Sequence, residues 1–435
     1  MTQTTTPAPN PYRTTYERIK DEDGAPAWWA ERRAAAMARF EATGLPSPRH
    51  EDWIYSSLRS LEAGGFHRAR TPEKSTLEGA KLDLVDGPRL VFLDGRHLPE
   101  SGSPMPEGVQ AWPIRTLLRE DPERLRKALA LSPDLEGHAF HDLGDALRED
   151  GVLIEIAEGA DIPTAVQIDF LTTSWQERGM THPRVLVMAG ARSALRLFER
   201  YEAQGPGTRF TNALTTVVLG EGARVRHTRL AREGAPAHHV GLTLVRQARD
   251  SHYAAVTVTT GSTLGRQEVQ AHLDGPGATC DLSGLSVLGG REHADHHTVI
   301  HHHVPNCQSH ELYKGIYGGQ SRGAFTGCIV VAKDAQQTSS QQANHNLLIS
   351  REATAHTRPQ LEIHADDVQC AHGATIGQLD PEHMFYLRSR GLGPLEARNL
   401  LIHGFASEVL DRVEDEPTRA GLEQVLAARL NVDAS

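Results

Sequence analysis

Residues 183–199 read PRVLVMAGARSALRLFE, and residues 214–230 read LTTVVLGEGARVRHTRL. In each, two runs with apolar residues at every second position flank a short turn built from Gly, Ala and a charged residue. A period of two places alternate side chains on opposite faces and marks strands. The same grammar opens at VLIEIAEGADI (152–162) and continues through turns at ARDSH, GPGAT, PNCQ and KDAQ. From Gly159 through Gly190, Gly222, Asp250, Gly277, Asn306 and Asp334, the turns return every ~27–32 residues, the signature of stacked repeats. No helical pattern intervenes, which excludes a βαβ fold for this stretch. A flat sandwich is possible, but strands coiling and stacking on themselves explain the recurring turn better. The expected fold class is therefore mainly β: a β-helix core over 151–378 between two helical regions.

The N-terminal region, 1–150, reads as mostly helical, with its first ~12 Pro-rich, polar residues expected to be disordered. PAWWAERRAAAMARFEATGLP (26–46) is a helical pattern ended by Gly44 and Pro46. HEDWIYSSLRSL (50–61) suggests a second short helix with Trp53, Tyr55 and Leu58 as apolar contacts. RLVFLDG (89–95) reads as a strand, and ALALSPDLEGHAFHDLGDALRED (128–150) as mostly helical. Strand texture ends near Gly377. Asp380 and Pro381 then read as an N-cap and first helical residue. Helices are expected over 381–390, stopping at Gly391, and over 393–413, with Leu395, Ile402, Phe405 and Val409 near one face. A last helix over 418–430 completes a C-terminal helical domain, 379–435.

Bulk properties narrow the function. A net charge of −11 argues against nucleic acid as the main partner. No apolar run approaches the ~18 residues of a membrane span, and MTQTTTPAPNPYRTTYERIK lacks the pattern of a secretory signal. A cytoplasmic location is the expectation. The cysteines (Cys280, Cys307, Cys328 and Cys370) form no CxxC pair, so neither a disulfide framework nor a zinc ribbon is indicated. There is no GxxxxGK[ST], HExxH or GxGxxG, which lowers the prior for the common enzymes.

Two constellations carry metal-ligating residue types. In REHADHHTVIHHHVPNCQSH (291–310), His301 and His303 share a strand face and His302 faces the other way. They could ligate a transition metal. With no carboxylate or thiolate at a matching offset except Cys307, the run is read as the polar outer face of a coil. Cys328, within the apolar CIVV, is read as a small buried hydrophobe. In RPQLEIHADDVQCAHGATIG (358–377), Cys370 and His372 fall on one strand face, with Asp366, Asp367 and Gly373 nearby. A thiolate and an imidazole so placed form a two-ligand fragment, short of the four that most protein-bound metals take.

ADDVQCAHGATIGQLDPEHMFYLRSRGL (365–392) closely resembles the SufD branch of the SufB/SufD family of iron–sulfur cluster assembly proteins. KDAQQTSSQQANHNLLIS (333–350), TRPQLEI (357–363), YKGIYGGQSRGAFTG (313–327) and PSPRHEDWIYSSL (46–58) are similar to the same family. A SufB-type chain, the primary cluster scaffold, would carry a cysteine before LLI and an acidic-histidine stretch in place of CAHG. Here the segments read QQANHNLLIS and ADDVQCAHG. Ala371 departs from the Ser more usual in the family.

The resemblance implies a right-handed parallel β-helix that pairs with SufB, and C-terminal helices that dock the ATPase SufC, with Phe385, Tyr386 and Phe405 as candidate contacts. It implies a non-catalytic scaffold subunit, nucleotide chemistry residing on SufC, and a transient iron–sulfur cluster shared with SufB. Cys370 and His372 would then be half of a shared ligand set. Two rival readings are a purely structural half of such a pair and a carbohydrate-active β-helix enzyme. The second needs convergent carboxylates, and Asp366 and Asp367, adjacent on a strand, would point to opposite faces.

Overall fold

The computed structural model describes residues 11–20, 25–47, 49–69, 87–133, 135, 137–173, 178–205 and 207–432. Most of the segment expected to be disordered lies outside these residues. Its last two members do not behave as expected: Pro11 and Tyr12 open the helix Pro11–Ile19, and the Tyr12 ring packs edge-on against Phe40 at 5.5 Å.

From Gly151 to Gln378 the chain winds as a parallel β-helix. Successive strands alternate between an eleven-stranded and a ten-stranded sheet, so each coil adds one strand to each. Because stacked coils are in register, side chains form columns. One inward column runs from Ile154 through Val187, Val217, Val245, Ala271 and Ile300 to Ile329 and Leu361. These residues belong to one apolar core filling the space between the sheets, and burying each Val or Ile contributes about 1.5–3 kcal/mol.

The turns fall into two lines of left-handed corners. Gly159, Gly222, Asp250, Gly277 and Asn306 have positive φ, as their residue types suggest. At two corners the strained position is displaced from the expected residue: Arg192 rather than Gly190, and Gln337 rather than Asp334. Gly205, Gly234, Gly261, Gly290 and Gly319 form the opposite line.

Helices cover the outer faces. Residues of the N-terminal helices, with Trp53, Leu58 and Phe140, pack on Met180, Phe210, Val240 and Leu264 of the eleven-stranded sheet. HEDWIYSSLRSL is not one helix but a 3₁₀ turn, Glu51–Trp53, and a separate helix, Arg59–Glu62. The C-terminal helices Pro394–Leu410 and Glu416–Val432 pack Ile402, Val409, Leu422 and Leu426 on Val256, Leu285, Leu312 and Leu347 of the ten-stranded sheet. Asp380 caps Pro381–Ser389 by accepting from the Glu382 amide. Leu395 was expected on the apolar face of its helix and is instead about half exposed.

The two ends of the β-helix differ. At the N-terminal end the antiparallel strand Val109–Pro113 closes one sheet, and Arg89–Leu93 with Arg96–His97 closes the other. Leu90, Phe92 and Val109 thereby join the core. At the C-terminal end, Thr354–Ile363 and Val368–Gln378 are the outermost strands of the two sheets, and nothing among the described residues pairs with their far edges.

Candidate functional site: the open end of the beta-helix

Cys370 and His372 lie on that last strand, in register with Ser340 and Gln342. Their columns fix which face they share. Cys370 continues Tyr253, Cys280, Ser309 and Ser340, and His372 continues Leu282, Glu311 and Gln342. Tyr253, Cys280 and Leu282 are buried core residues, so both candidate ligands point along the interior, at its uncovered mouth. Cys370 is half-buried, and burial raises its thiol above the usual range against a backbone contact at Ser340 that lowers it. His372 is exposed and, among the described residues, makes no hydrogen bond or ion pair. The fragment is thus a thiol and an unengaged imidazole. Among the described residues, no group of three or more His, Cys, Asp or Glu is already arranged to hold a metal ion.

Beneath this mouth the interior turns polar. Gln342 donates through Nε2 to Glu311, whose carboxyl is pushed up to about 7 by complete burial. Ser309 and Ser340 hydroxyls lie 2.9 Å apart, and Ser309 is also 2.9 Å from His302 Nε2. Asn346 donates to Asn344 Oδ1 at 2.7 Å. Such internal pairing satisfies part of this buried polar set, while Glu311 Oε1, Gln342 Oε1 and His302 Nδ1 make no hydrogen bond among the described residues. The set makes the last coils a polar plug under the two ligands. Sequence inspection missed this relation, although the signal is in the repeat: Glu311 and Gln342, like Ser309 and Ser340, are 31 residues apart.

The rim carries exposed apolar groups, Ile363 and Ile376. On its outer side the N-terminal segment reaches the last coil: Tyr55 stacks on His356 at 4.7 Å, and Glu51 pairs with Arg358. Gly373 faces outward, where an added Cβ would meet nothing within 4 Å. Asp366 and Asp367 do not alternate on a strand. They sit in the turn before it, where the Asp367 amide donates to Gln336 Oε1 at 2.8 Å.

The other cysteines are placed differently. Cys280 and Cys307 are fully buried, and Cys328 is buried on the outward side of its strand, its thiol pushed up to about 11 by burial and the nearby Glu362. Phe385 and Tyr386 stand exposed on the helix Pro381–Ser389. Phe405 is turned towards its own sheet, with Lys314 Nζ 4.3 Å above its ring and donating to its carbonyl at 3.1 Å.

A cleft of about 740 Å³ between the ten-stranded sheet and the turn after Leu410 ends beside His372. All its carboxylates but Asp411 are engaged: Asp281 with His252 and His310 at 2.7 and 2.9 Å, Glu414 with Arg226 at 2.8 Å, Glu408 with Lys314, Asp415 with Thr418, and Glu311 with Gln342. They do not form the free acid–base pair that glycoside hydrolysis requires. No helix among the described residues is long and apolar enough to cross a membrane.

Comparison with known proteins agrees with this architecture. Residues 170–405 match the SufBD core domain of the SUF system for FeS cluster assembly, and residues 10–168 match the SufBD N-terminal region. An iron–sulfur cluster assembly SufBD family protein of Synechocystis is 30% identical over 410 residues, covering 92% of this chain and 90% of that protein. The iron–sulfur cluster assembly protein SufD of Escherichia coli is 29% identical over 390 residues, 89% of each chain. SufD of Bacillus subtilis is 23% identical, with 93% of this chain and 94% of that one covered. This chain belongs to the SufBD family of the Suf iron–sulfur cluster assembly system.

Proposed function

We propose that the chain acts as the SufD-type, non-catalytic half of a two-β-helix scaffold, and that its open end is the seam with a SufB-type partner. The observation that carries this reading is the unsealed last coil, with Cys370 and His372 facing out of the interior. Free strand edges invite a further strand. A second β-helix seated there would cover Ile363 and Ile376 and face the thiol and imidazole with its own donors. A nascent iron–sulfur cluster, as cargo rather than resident cofactor, commonly needs four ligands, mostly thiolate with imidazole tolerated. This chain supplies two. Cys370 must lose its proton to ligate, and His372, unencumbered by hydrogen bonds, can offer either ring nitrogen.

The ATPase reading follows from the other surface. The chain has no phosphate-cradling loop of its own, and Phe385 and Tyr386 are exposed aromatic residues of the kind that anchor interfaces. They are the proposed contacts to a SufC-type ATPase, whose rate the chain would raise. Phe405, packed on its own domain, would act there only by holding the helix.

The test is the iron and acid-labile sulfide content of the three-component complex purified from cells. His372→Ala should leave folding and assembly intact, with a stability change of about 1 kcal/mol or less for an exposed side chain, and should sharply reduce cluster content. Cys370→Ala should do the same. Cys280→Ala, Cys307→Ala and Cys328→Ala should leave it near normal. Wild-type cluster content in the His372→Ala complex would reduce the chain to a structural partner.

A further inference from the structure

The histidine run that the sequence presents as a polar outer face acquires partners from the preceding coil. On the outside of the eleven-stranded sheet, His272 is in register with His301, and His303 follows just past the end of the same strand. The three rings are nearly parallel, with interplanar angles of 11°, 7° and 5° and centroids 4.7–5.6 Å apart. His272 Nδ1 lies 3.2 Å from His303 Nε2. Asp274 Oδ1 is 3.9 Å from that same His303 nitrogen, and the other carboxylate oxygen is held by Arg246 at 2.8 Å.

We propose that His272, His303 and Asp274, with His301 as a fourth donor, bind one divalent transition-metal ion of borderline softness. The geometry of the first pair carries the argument. Metal–imidazole bonds of about 2.0–2.1 Å at a tetrahedral angle separate the two nitrogens by about 3.3 Å. The observed 3.2 Å is that bite, and the two rings, 7° from parallel with centroids 5.5 Å apart, meet nitrogen to nitrogen rather than face to face. An ion at that bite lies to one side of the line joining the two nitrogens, so both rings tilt slightly to aim their lone pairs at it. Asp274, with Oδ1 3.9 Å from His303 Nε2, moves in to close the third position, while Arg246 steadies its second oxygen as outer partners of ligating carboxylates do. His301 must turn its ring about χ1 and χ2 to join, which accounts for the absence of a converged group of donors. All four side chains are at least partly solvent-accessible, so entry needs no opening of the fold. Three imidazoles with one carboxylate suit Zn²⁺, Co²⁺, Ni²⁺ or Fe²⁺ and discriminate against Mg²⁺ and Ca²⁺, which prefer oxygen.

This site is separate from Cys370 and His372. Its outward column reaches the last coil only at Glu362, through Val330. It therefore stands or falls independently of the open-end reading. The experiment titrates the metal-free, full-length chain with Zn²⁺ by calorimetry and with Co²⁺ by visible absorbance. One ion per chain is expected, with the intense d–d bands of four-coordinate Co²⁺. His272→Ala/His303→Ala should abolish this binding with an unchanged circular dichroism spectrum, and Asp274→Asn should weaken it about tenfold or more. Cys370→Ala/His372→Ala should bind as the unaltered chain does. Saturable one-to-one binding that survives His272→Ala/His303→Ala would overturn the proposal. So would its loss in Cys370→Ala/His372→Ala, or the absence of saturable binding to the unaltered chain.

Discussion

The two ends of this β-helix begin from the same problem and solve it differently. Each terminal coil must deal with an apolar interior and a row of unpaired backbone donors and acceptors. At the N-terminal end the chain reverses direction, and Val109–Pro113 pairs antiparallel with Gly151–Ile156 while Phe92 and Leu90 plug the interior. At the C-terminal end it leaves the last strand directly for helices that pack on an outer face, and no described residue turns back to plug the mouth. The interior differs accordingly: Val152, Ile154, Val185 and Val187 line the first coils, whereas in the last coils Glu311, Gln342, Asn344 and Asn346 line the ten-stranded side, facing the apolar Phe325, Ile329 and Val331. An end built for permanent burial is apolar and sealed. The open end is polar along one inner side and unsealed among the described residues.

The sharpest way to break this contrast is to damage each end. Phe92→Ala, at 1% exposure, should destabilise the isolated chain by about 3–5 kcal/mol, measured by denaturant unfolding, while the folded fraction still binds the proposed SufB-type partner. An equal loss of partner binding among folded molecules would mean that the ends are not independent.

The polar interior gives the next largest effect. Burial raises the Glu311 carboxyl to about 7, against the Gln342 hydrogen bond and the nearby Thr298 hydroxyl, which lower it. The native state therefore binds more protons than the unfolded state between the ordinary carboxylate range and about pH 7, and stability falls as pH rises through that window. Glu311→Gln should remove this slope and gain at most about 3 kcal/mol above pH 7. Glu149, also raised to about 7 by burial but beside Arg68, Arg96 and Arg115, contributes a slope of the same sign, and Glu311→Gln leaves it in place. An unchanged slope in Glu311→Gln would place the titration elsewhere.

At the open end, Ile363→Asp/Ile376→Asp should leave the stability of the isolated chain within about 0.5 kcal/mol per site and weaken association with a SufB-type partner by about 2 kcal/mol or more. Phe385→Ser should have the smallest effect, about 1 kcal/mol on ATPase docking and none on the β-helix pairing, read by pull-down with each partner separately. Loss of both interactions would indicate that the two surfaces are one.

Much of the core was legible because its signals are local. Period-two strands and corner residues such as Gly222, Asp250, Gly277 and Asn306 state the coil directly, as does the Asp380–Pro381 helix start. The displaced corners at Arg192 and Gln337 were not legible, since neither residue type advertises a positive φ. The sealed end was largely hidden, because Val109–Pro113 is short and its pairing with Gly151–Ile156 is a tertiary fact. Cys370 and His372 could be placed on one face by alternation alone. Which face that was required the register with Ser340 and Gln342, and only stacking brings His272 and Asp274 to His301 and His303.

Hydrogen exchange tests the central claim most directly, by comparing the amides of Val368–Gln378 with those of Val109–Pro113 in the free chain and in the assembled complex. In a parallel edge strand alternate N–H groups lack partners, so the last strand of the free chain should exchange readily and become strongly protected on assembly, whereas the sealed end should not change. Protection of Val368–Gln378 that is the same in the free chain and the complex would contradict the account.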